Sequence, residues 1–168
     1  MAGGEERCTF QSVAKRAGIE RSTLYRRYPN RWAMMSEAFA AAYHDDLAFE
    51  PTGSFRGDLT CHLSRVAHTL GSPLGMAMLA AGAVARLDPA SRAVAGGFWE
   101  FRKEQQRPLV QAAIDRGELP PDVGLDALFA AADGPLYFRL LIIALPVDKA
   151  WIEQTVDQVC KAFCLTGR

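Results

Sequence analysis

The sequence predicts an all-α fold. Apolar residues recur at the three- and four-residue spacing of a single helix face in one segment after another along the chain. Glycine and proline residues separate these segments, where turns between helices are expected. No stretch shows the regular alternation of apolar and polar residues that is typical of a half-buried strand. We therefore expect a small helical head at residues 1–46 on a larger helical body at residues 47–168.

The first predicted helix covers residues 10–17. Phe10, Val13, Ala14 and Ala17 lie at positions i, i+3, i+4 and i+7, which is the apolar stripe of one short helix. Gly18 follows the last of these positions, and a glycine adopts a positive φ without a Cβ clash. The chain is therefore expected to turn sharply after residue 17.

The second predicted helix covers residues 22–28 and has two different sides. Leu24 and Tyr28 are four residues apart and share a buried side. The other side carries guanidinium, hydroxyl and aromatic groups, which bind phosphate oxygens and base edges in a major groove. These groups belong to Arg21, Ser22, Thr23, Tyr25, Arg26 and Arg27. A helix, a glycine turn and a polar-faced second helix, in this order, predict a helix-turn-helix that binds double-stranded DNA.

The charge distribution agrees with DNA binding. The whole chain has 19 basic and 19 acidic residues. Residues 7–31 contain seven Lys or Arg and one acid, a net charge of +6, whereas residues 32–168 contain twelve basic and sixteen acidic residues, a net charge of −4. A basic head on a mildly acidic body is expected of a protein that approaches a polyanion. The alternative is a solvated basic helix pair that packs on the body.

The head resembles that of the tetracycline-repressor (TetR/AcrR) family of transcriptional regulators. The matching residues are Thr9 to Ala14, Ala17-Gly18-Ile19, Ser22-Thr23-Leu24-Tyr25, Tyr28, Asn30 and Arg31. The body is similar to the family in Arg116-Gly117-Glu118-Leu119 and in Gly134-Pro135-Leu136-Tyr137-Phe138-Arg139-Leu140-Leu141. The resemblance implies a ligand-responsive repressor that binds a roughly palindromic operator as a homodimer.

The resemblance also implies roles for individual residues of the head. Base edges would be contacted by Arg21, Ser22 and Arg26. Phosphates would be bound by Thr23, Tyr25, Arg27 and Arg31. These two groups act differently, because base contacts select a sequence whereas phosphate contacts bind every sequence.

The beginning of the chain departs from the family pattern. Members of the family have a further helix before the position of Thr9, packed beneath the helix-turn-helix, and here eight residues precede Thr9. We expect a head that lacks its first helix, that is less ordered than the body over residues 1–31, and that binds DNA weakly or not at all in this form. The alternative function is a small-molecule-binding all-α protein that no longer binds DNA.

Four further helices are predicted before the last pair. Asn30 is placed to cap a joining helix whose apolar stripe is Met35, Ala38, Phe39, Ala42 and Tyr43. The next helix, at residues 55–70, has Leu59, Leu63, Val66 and Leu70 on one side. Residues 75–87 are small and apolar almost throughout, which indicates a helix surrounded by others. In a long helix at residues 89–116, Pro108 predicts a kink.

An effector pocket is predicted between the helices of residues 55–116. Aromatic and methionine side chains occur there beside a few polar groups, which is the composition of a typical small-molecule pocket. The candidate lining residues are His62, Met76, Leu79, Phe98, Trp99 and Arg102. We expect a largely apolar small ligand of unknown identity. The alternative is that these side chains form ordinary core.

The last two predicted helices, at residues 125–144 and 148–165, are the candidate dimer interface. The first of them has little polar surface on any side, so it needs cover on more than one side. A second copy across a two-fold axis would provide that cover, and the family uses its last two long helices in this way. The candidate interface residues are Leu128, Leu136, Leu140, Ile152, Val156, Val159 and Phe163. The alternative is that the pair only completes its own core.

Motifs for catalysis and metal binding are absent from the sequence. It has no Gly-x-Ser-x-Gly elbow, no Gly-x-x-x-x-Gly-Lys loop and no His-Glu-x-x-His pair. Cys160 and Cys164 have the four-residue spacing of two buried side chains on one helix, which favours core over a redox pair. We expect no enzyme activity, no cofactor and no metal. The sequence lacks both an apolar run of about 20 residues and a signal peptide, which predicts a cytoplasmic protein and no membrane partner.

Overall fold

A computed structural model describes residues 9–43, 49–85, 87 and 89–165 of the chain. Within these ranges, the side chains at positions 39, 42–43, 81, 84–85, 90–91, 93–95 and 97–98 are outside the description. The predicted boundary between head and body at residues 46–47 also lies outside the described residues, as do the side chains of Phe39, Ala42 and Tyr43 in the predicted stripe of the joining helix.

The described ranges contain helices and no strand, so the all-α prediction is confirmed. The α-helices are α1 (Phe10–Ala17), α2 (Arg21–Arg27), α3 (Arg31–Tyr43), α4 (Phe55–Gly71), α5 (Pro73–Ala85), α6 (Pro89–Asp115), α7 (Leu125–Tyr137) and α8 (Lys149–Phe163). A π-helical turn, Phe138–Ile142, directly follows α7. The seventh helix was predicted to end at residue 144. In the structure α7 ends at Tyr137, because the backbone changes to the wider hydrogen bonding of a π-helix at residue 138.

Local hydrogen bonds define both ends of α1. The Thr9 hydroxyl accepts from the Ser12 amide at 3.1 Å, and the Ser12 hydroxyl accepts from the Thr9 amide at 2.9 Å. This reciprocal pair is a capping box, which satisfies two amides at the start of α1. Gly18 has a φ of 67°, the left-handed conformation predicted for the turn. The helix therefore has the bounds that the sequence predicted.

The head has a small core to which three helices contribute. Phe10 and Ala14 of α1 pack with Leu24 of α2 and Met34 of α3, and all four are buried. At the start of α3, the Asn30 carboxamide oxygen accepts a hydrogen bond from the Ala33 amide at 2.9 Å, which confirms the predicted cap. Because Met34 completes the head core, α3 belongs to the head as much as to the connection with the body.

Helix α3 also contacts the body through Trp32, which packs on Gly82 of α5. The Trp32 side chain is buried, and α3 packs against both α5 and α6. A Cβ atom at position 82 would lie 2.9 Å from Cη2 of the Trp32 ring, closer than atoms in real structures come. Glycine at this position therefore lets the indole of the head helix lie directly on the backbone of the body.

We predict that Gly82→Ala destabilises the fold, because the buried indole must shift to admit a methyl group. The expected loss is about 1–3 kcal/mol, the usual range for an overpacked contact. Gly96→Ala in α6 is the matched control, since a Cβ there meets nothing within 4 Å. Because alanine is the better helix former, the control should be neutral or up to about 1 kcal/mol more stable. Urea unfolding measures both changes, and equal stabilisation by the two substitutions would contradict the proposed contact.

Among the described residues of the body, α4, α6, α7 and α8 enclose a large apolar core. Its wholly buried members include Leu59 and Leu63 of α4, Leu128 and Leu136 of α7, and Val156 of α8. The predicted stripe of residues 55–70 therefore faces inward, as its periodicity indicated. Pro108 lies inside α6 as expected, and the kink there stays a prediction.

Most of the residues predicted for the dimer interface belong to this core. Leu128, Leu136, Ile152, Val156 and Val159 are buried within one chain. Leu140 and Phe163 are partly buried and pack against the same core. The physical reason is that α7 and α8 turn these stripes toward α4 and toward each other. These side chains therefore leave little surface for a second chain, and their assignment to an interface stays a prediction.

A buried carboxylate ties the start of α4 to the turn after α6. The Asp58 side chain accepts hydrogen bonds from the Thr52 amide at 2.6 Å, the Thr52 hydroxyl at 2.8 Å and Arg116 Nη2 at 2.7 Å. Glu118 Oε2 in turn accepts from Arg116 Nε at 2.7 Å and from the Phe55 amide at 2.9 Å. The family-like motif at residues 116–119 therefore fixes the first turn of α4.

Candidate nucleic-acid interface and ligand cleft

Helix α2 presents the polar face that the sequence predicted. Leu24 is its buried residue, and it packs in the head core. The side chains that point away from this core are exposed, apart from Thr23, which is half-buried. The exposed group consists of Arg21, Ser22, Tyr25, Arg26 and Arg27. Apart from Arg31, which begins α3, the residues proposed to contact bases and phosphates therefore lie together on α2.

Tyr25 is held in place from both sides. Its ring lies edge-on to Phe10 with the centroids 4.7 Å apart. Its hydroxyl accepts a hydrogen bond from Arg21 Nη2 at 2.6 Å, and the Arg21 guanidinium lies 5.0 Å from the Tyr25 ring centroid. The Arg21 side chain therefore lies along Tyr25 on the exposed side of α2.

Arg27 is also engaged within the head. It forms an ion pair with Glu37 of α3, and its Nε donates a hydrogen bond to the Tyr28 hydroxyl at 2.9 Å. Both members of the ion pair are more than half exposed, so solvent screens their attraction and the pair is weak. A DNA phosphate is therefore able to replace Glu37 as the partner of Arg27.

Other cations of the head have no such partner. Within the described residues, no hydrogen bond or ion pair of the side chain engages Arg26 or Arg31. Lys15 and Arg16 are exposed in the last turn of α1, and the sequence analysis gave neither a role. The head therefore has exposed cations on α1 as well as on α2. Such a surface suits the phosphate backbone, because cations on it displace condensed counterions.

The cleft of the body lies between α4, α6 and the segment that precedes α4. It contains about 430 Å³ of empty space, part of which is open to solvent. The lining residues are Phe49, Glu50, Asp58, Cys61, His62, Arg65, Arg102, Gln105, Gln106 and Leu109. Charged and carboxamide groups predominate among them, so the cleft is more polar than the sequence analysis expected.

A buried polar cluster closes one side of this cleft. His62 Nε2 lies 3.0 Å from Asp133 Oδ1, and Gln106 Nε2 donates to Asp133 Oδ2 at 3.2 Å. The His62 ring also lies edge-on to Phe129, with a centroid distance of 5.8 Å. The cluster therefore joins α4, α6 and α7 beside the cleft. His62 and Asp133 are 71 residues apart along the chain.

Tyr137 lies near this cluster, behind the cleft. Burial raises the pKa of the Tyr137 hydroxyl, the Asp133 carboxylate raises it further, and the Arg102 guanidinium opposes the shift. The Tyr137 hydroxyl is therefore neutral at physiological pH. Its ring lies edge-on to Trp99 at 5.7 Å. Arg102 is thus close enough to Tyr137 to interact with it electrostatically.

The predicted pocket residues divide into two groups. His62 and Arg102 line the cleft. Met76 and Trp99 do not line it and are 37% and 42% exposed, and Leu79 packs against the main core. The Phe98 side chain lies outside the described residues. Met76, Leu79 and Trp99 thus lie outside the lining of this cleft, and a ligand-binding role for them stays a prediction.

Gln106 and Asp133 were missed by the sequence analysis. Both are buried polar residues, and Asp133 lies among the apolar residues Phe129, Ala132 and Leu136 of α7. A carboxylate on the apolar face of a helix is a signal in itself, because burial without a partner is strongly unfavourable. That signal predicts a buried partner but does not identify it as His62.

The remaining candidate groups carry no further site. Cys160 and Cys164 pack against the core, as their spacing predicted. Burial raises the pKa of the Cys164 thiol to about 11, with a contribution from Cys160, so this thiol is protonated at neutral pH. In the part of the chain that the structure describes, no three His, Cys, Asp or Glu side chains form a metal-binding group. Within the same part, no helix has the length and hydropathy needed to span a bilayer.

Comparison with known proteins identifies the family. A family model described as "Tetracyclin repressor-like, C-terminal domain" matches residues 49–159, which is more than half of the chain. The chain belongs to the tetracycline-repressor family. The matched range includes α4 to α8 up to Val159, and thus both the cleft and the core. The resemblance inferred from the sequence is confirmed.

Individual relatives of the tetracycline-repressor family cover most of the chain. The chain is 25% identical over 165 residues to the uncharacterized HTH-type transcriptional regulator YdeS of Bacillus subtilis, covering 98% of this chain and 83% of YdeS. It is 26% identical over 156 residues to the uncharacterized HTH-type transcriptional regulator Rv1556 of Mycobacterium tuberculosis, covering 93% of this chain and 77% of the relative.

A solved structure of the tetracycline-repressor family has the same fold. The crystal structure of the TetR family transcription regulator SCO0332 superposes with a TM-score of 0.84 and 28% identity, covering 97% of this chain and 91% of that one. The match extends through the head as well as the body, since it spans nearly the whole chain. Family membership also confirms the prediction that the chain is a regulator and not an enzyme.

Proposed function

We propose that this member of the tetracycline-repressor family is a ligand-responsive repressor that binds a palindromic operator as a homodimer in the cytoplasm. The observation that carries the proposal is the accessible basic face of α2, with Arg26 exposed beside residues that pack in the head core. A recognition helix of this kind enters the major groove of DNA, and a two-fold dimer reads two half-sites. The head of residues 1–46 has this role in the proposal.

Within the described residues, some of the proposed DNA-binding side chains are exposed without a contact in the head, whereas others contact a residue of the head that DNA would replace. Arg26 and Ser22 are exposed on the outer side of α2 and are assigned to base edges. Arg31 at the start of α3 is assigned to a phosphate. Arg21 joins the base-contacting group on leaving Tyr25, and Arg27 joins the phosphate-binding group on leaving Glu37. Thr23 and Tyr25 complete the phosphate-binding group.

Substitution of two head arginines tests this division. Arg26→Ala is expected to weaken binding to the cognate operator by about 1–3 kcal/mol, because a base contact discriminates between sequences. Arg31→Ala is expected to weaken binding to all DNA and to reduce the slope of log affinity against log salt by about one unit. The operator is first selected from a random-sequence DNA pool, and fluorescence anisotropy then measures binding to it and to scrambled DNA at several salt concentrations.

Arg56→Ala is the control for these measurements. Arg56 is an exposed arginine of α4 that pairs with Asp157 of α8, so its loss removes a positive charge from the body and leaves the residues of the head unchanged. We expect unchanged DNA binding in this variant. Equal effects of Arg26→Ala and Arg31→Ala on cognate and scrambled DNA would contradict their separate roles. A chain that selects no DNA from the pool would leave the alternative, a small-molecule-binding protein without an operator.

The dimer interface of the proposal lies on the π-helical turn and the segment after it. Phe138, Ile142, Ile143 and Leu145 are all exposed there, with Ile142 at 70%. Arg139 fixes this segment against α8, because its Nε donates to the Pro146 carbonyl at 2.7 Å and its guanidinium lies 5.2 Å from the Trp151 ring centroid. An ordered group of exposed apolar residues is typical of a surface that another protein covers.

The proposed response to a ligand passes through α3. The cleft lies between α4 and α6, and α6 packs against α3, whose Met34 completes the head core. A ligand that changes the spacing of α4 and α6 would therefore move α3, and with it the position of α2. Such a ligand shifts DNA binding only by the difference between its affinities for the two arrangements.

A further inference from the structure

The negative charges around the cleft already have partners. Glu50 Oε2 lies 3.6 Å from Arg65 Nη2. Asp58 is bound by Arg116 at 2.7 Å and by both polar groups of Thr52. The carboxylates that line the cleft therefore do not need a cation from a ligand.

The carboxylate behind the cleft is likewise satisfied. Asp133 accepts a hydrogen bond from Gln106 and lies at 3.0 Å from His62 Nε2. Gln106 Nε2 is also 3.3 Å from His62 Nε2, so the three side chains form a closed set. A closed set of buried polar groups gives the wall of the cleft a defined shape.

Arg102 is the cation of the cleft that remains available. It is half-buried at the cleft surface. Within the described residues, its guanidinium makes no hydrogen bond and no ion pair. A guanidinium that is partly removed from water and has no anionic partner binds a carboxylate favourably through two parallel hydrogen bonds, a bidentate pair. The nearby Gln105 carboxamide is a second donor on the same helix.

We propose that the cleft binds a small organic monocarboxylate whose carboxylate pairs with Arg102 and whose apolar part lies against Phe49 and Leu109, an inference that rests on the proposed ligand-responsive function. The two apolar side chains line the same cleft as Arg102. A single negative charge fits better than a dianion such as a phosphate monoester, because Arg65 of the cleft is already paired with Glu50 and the Arg102 guanidinium is left for the ligand. The predicted apolar ligand is thus revised to an amphipathic acid.

Calorimetric titration of the full chain with matched acids and amides tests the proposal. The probes are benzoate, phenylacetate and octanoate, each compared with its primary amide, which has similar shape and no charge. We expect at least one acid to bind at least tenfold more tightly than its amide. Arg102→Gln should remove this preference by weakening the acid at least tenfold and leaving the amide unchanged. Arg102→Lys, which keeps the charge but not the fork, should retain part of the preference.

Arg107→Gln is the matched control, because Arg107 is an exposed arginine of α6 that pairs with Glu104. It should bind every probe as the unmodified chain does. The proposal is overturned if no acid binds more tightly than its amide, or if the preference survives Arg102→Gln in a variant with an unchanged thermal transition. Anisotropy with operator DNA, without probe, separates this outcome from a failure of the proposed function. If the chain binds operator DNA but shows no preference for acids, only the proposed ligand class is contradicted. If the chain shows an Arg102-dependent preference for acids but binds no DNA, only the proposed repressor function is contradicted.

Discussion

Replacing Arg116 by Ala is expected to lower the free energy of unfolding by about 3–5 kcal/mol, the range for removing one partner of a buried ion pair. The Asp58 side chain is completely buried, and the Arg116 side chain is 27% exposed. Without Arg116, a carboxylate in the interior keeps its hydrogen bonds from Thr52 but loses its counter-charge. Glu118, which accepts a hydrogen bond from the Phe55 amide, would also lose its hydrogen bond from Arg116. Urea unfolding monitored by circular dichroism measures the change.

Arg56→Ala is the control for this effect too. Arg56 pairs with Asp157 where both side chains are about half exposed, so its removal should change stability by less than about 1 kcal/mol. A similar small loss for Arg116→Ala would show that solvent reaches Asp58 and replaces the guanidinium. The double variant Asp58→Asn with Arg116→Gln should recover part of the loss, because neither side chain then leaves a buried charge unpaired.

The same pair gives a pH dependence of defined sign. Burial alone would raise the pKa of the Asp58 carboxyl, but hydrogen bonds from the Thr52 amide and hydroxyl and from Arg116 outweigh burial and lower the pKa. The unfolded pKa is about 3.9. A carboxyl whose folded pKa is lowered adds stability that is present above the unfolded pKa and is lost as the pH falls through the folded pKa. We therefore expect Arg116→Ala to reduce the acid sensitivity of the fold.

Helix bounds followed from the sequence where local chemistry sets them. Thr9 and Gly18 define the two ends of α1 through a capping box and a left-handed turn, both of which are local interactions. The inward stripe of α4 followed from its period, because Leu59, Leu63, Val66 and Leu70 recur at helical spacing and all four are buried. Helix α5 begins at Pro73 rather than residue 75, since proline is favoured in the first turn of a helix.

The candidate site followed from the sequence only in part, because its contacts are distant along the chain. His62 and Asp133 are 71 residues apart, and no local pattern joins them. Met76 lies in a helix that is apolar almost throughout, so periodicity does not show which side faces a cavity. The base-contacting and phosphate-binding roles in the head remain predictions, whereas the shared exposed face of α2 is a feature of the structure.

The choice of face on α7 shows the same limit of periodicity. Leu136 and Phe138 are two residues apart, yet the first is buried and the second is 56% exposed. Both sides of the segment are apolar, so the sequence predicts that both are buried. It does not show which side packs in the core of the chain and which side packs against another chain. The core covers the side of Leu128 and Leu136, and the proposed second chain covers the side of Phe138 and Ile142.

Replacing Ile142 by Glu is therefore expected to convert a dimer into a folded monomer. In the separate chain Ile142 is 70% exposed, so a charge there should change monomer stability by no more than about 0.5 kcal/mol. In the dimer the same charge would be buried without a partner at an apolar seam, which costs far more. Size-exclusion chromatography with light scattering measures the mass, and circular dichroism confirms the fold. Operator affinity should fall in parallel, because one half-site is no longer bound together with the other.

Two further substitutions separate an interface from a core and from general surface effects. Leu87→Glu places the same charge on a residue that is 84% exposed and lies outside the proposed seam, so that variant should remain a dimer. Val156→Glu buries the charge in the core of one chain, so it should unfold the protein rather than release a folded monomer. A monomeric mass for the unmodified chain, or a dimeric mass for Ile142→Glu, would contradict an interface at the π-helical turn. Only the combination of a folded monomer for Ile142→Glu, a dimer for Leu87→Glu and unfolding for Val156→Glu is expected if the second copy covers this face.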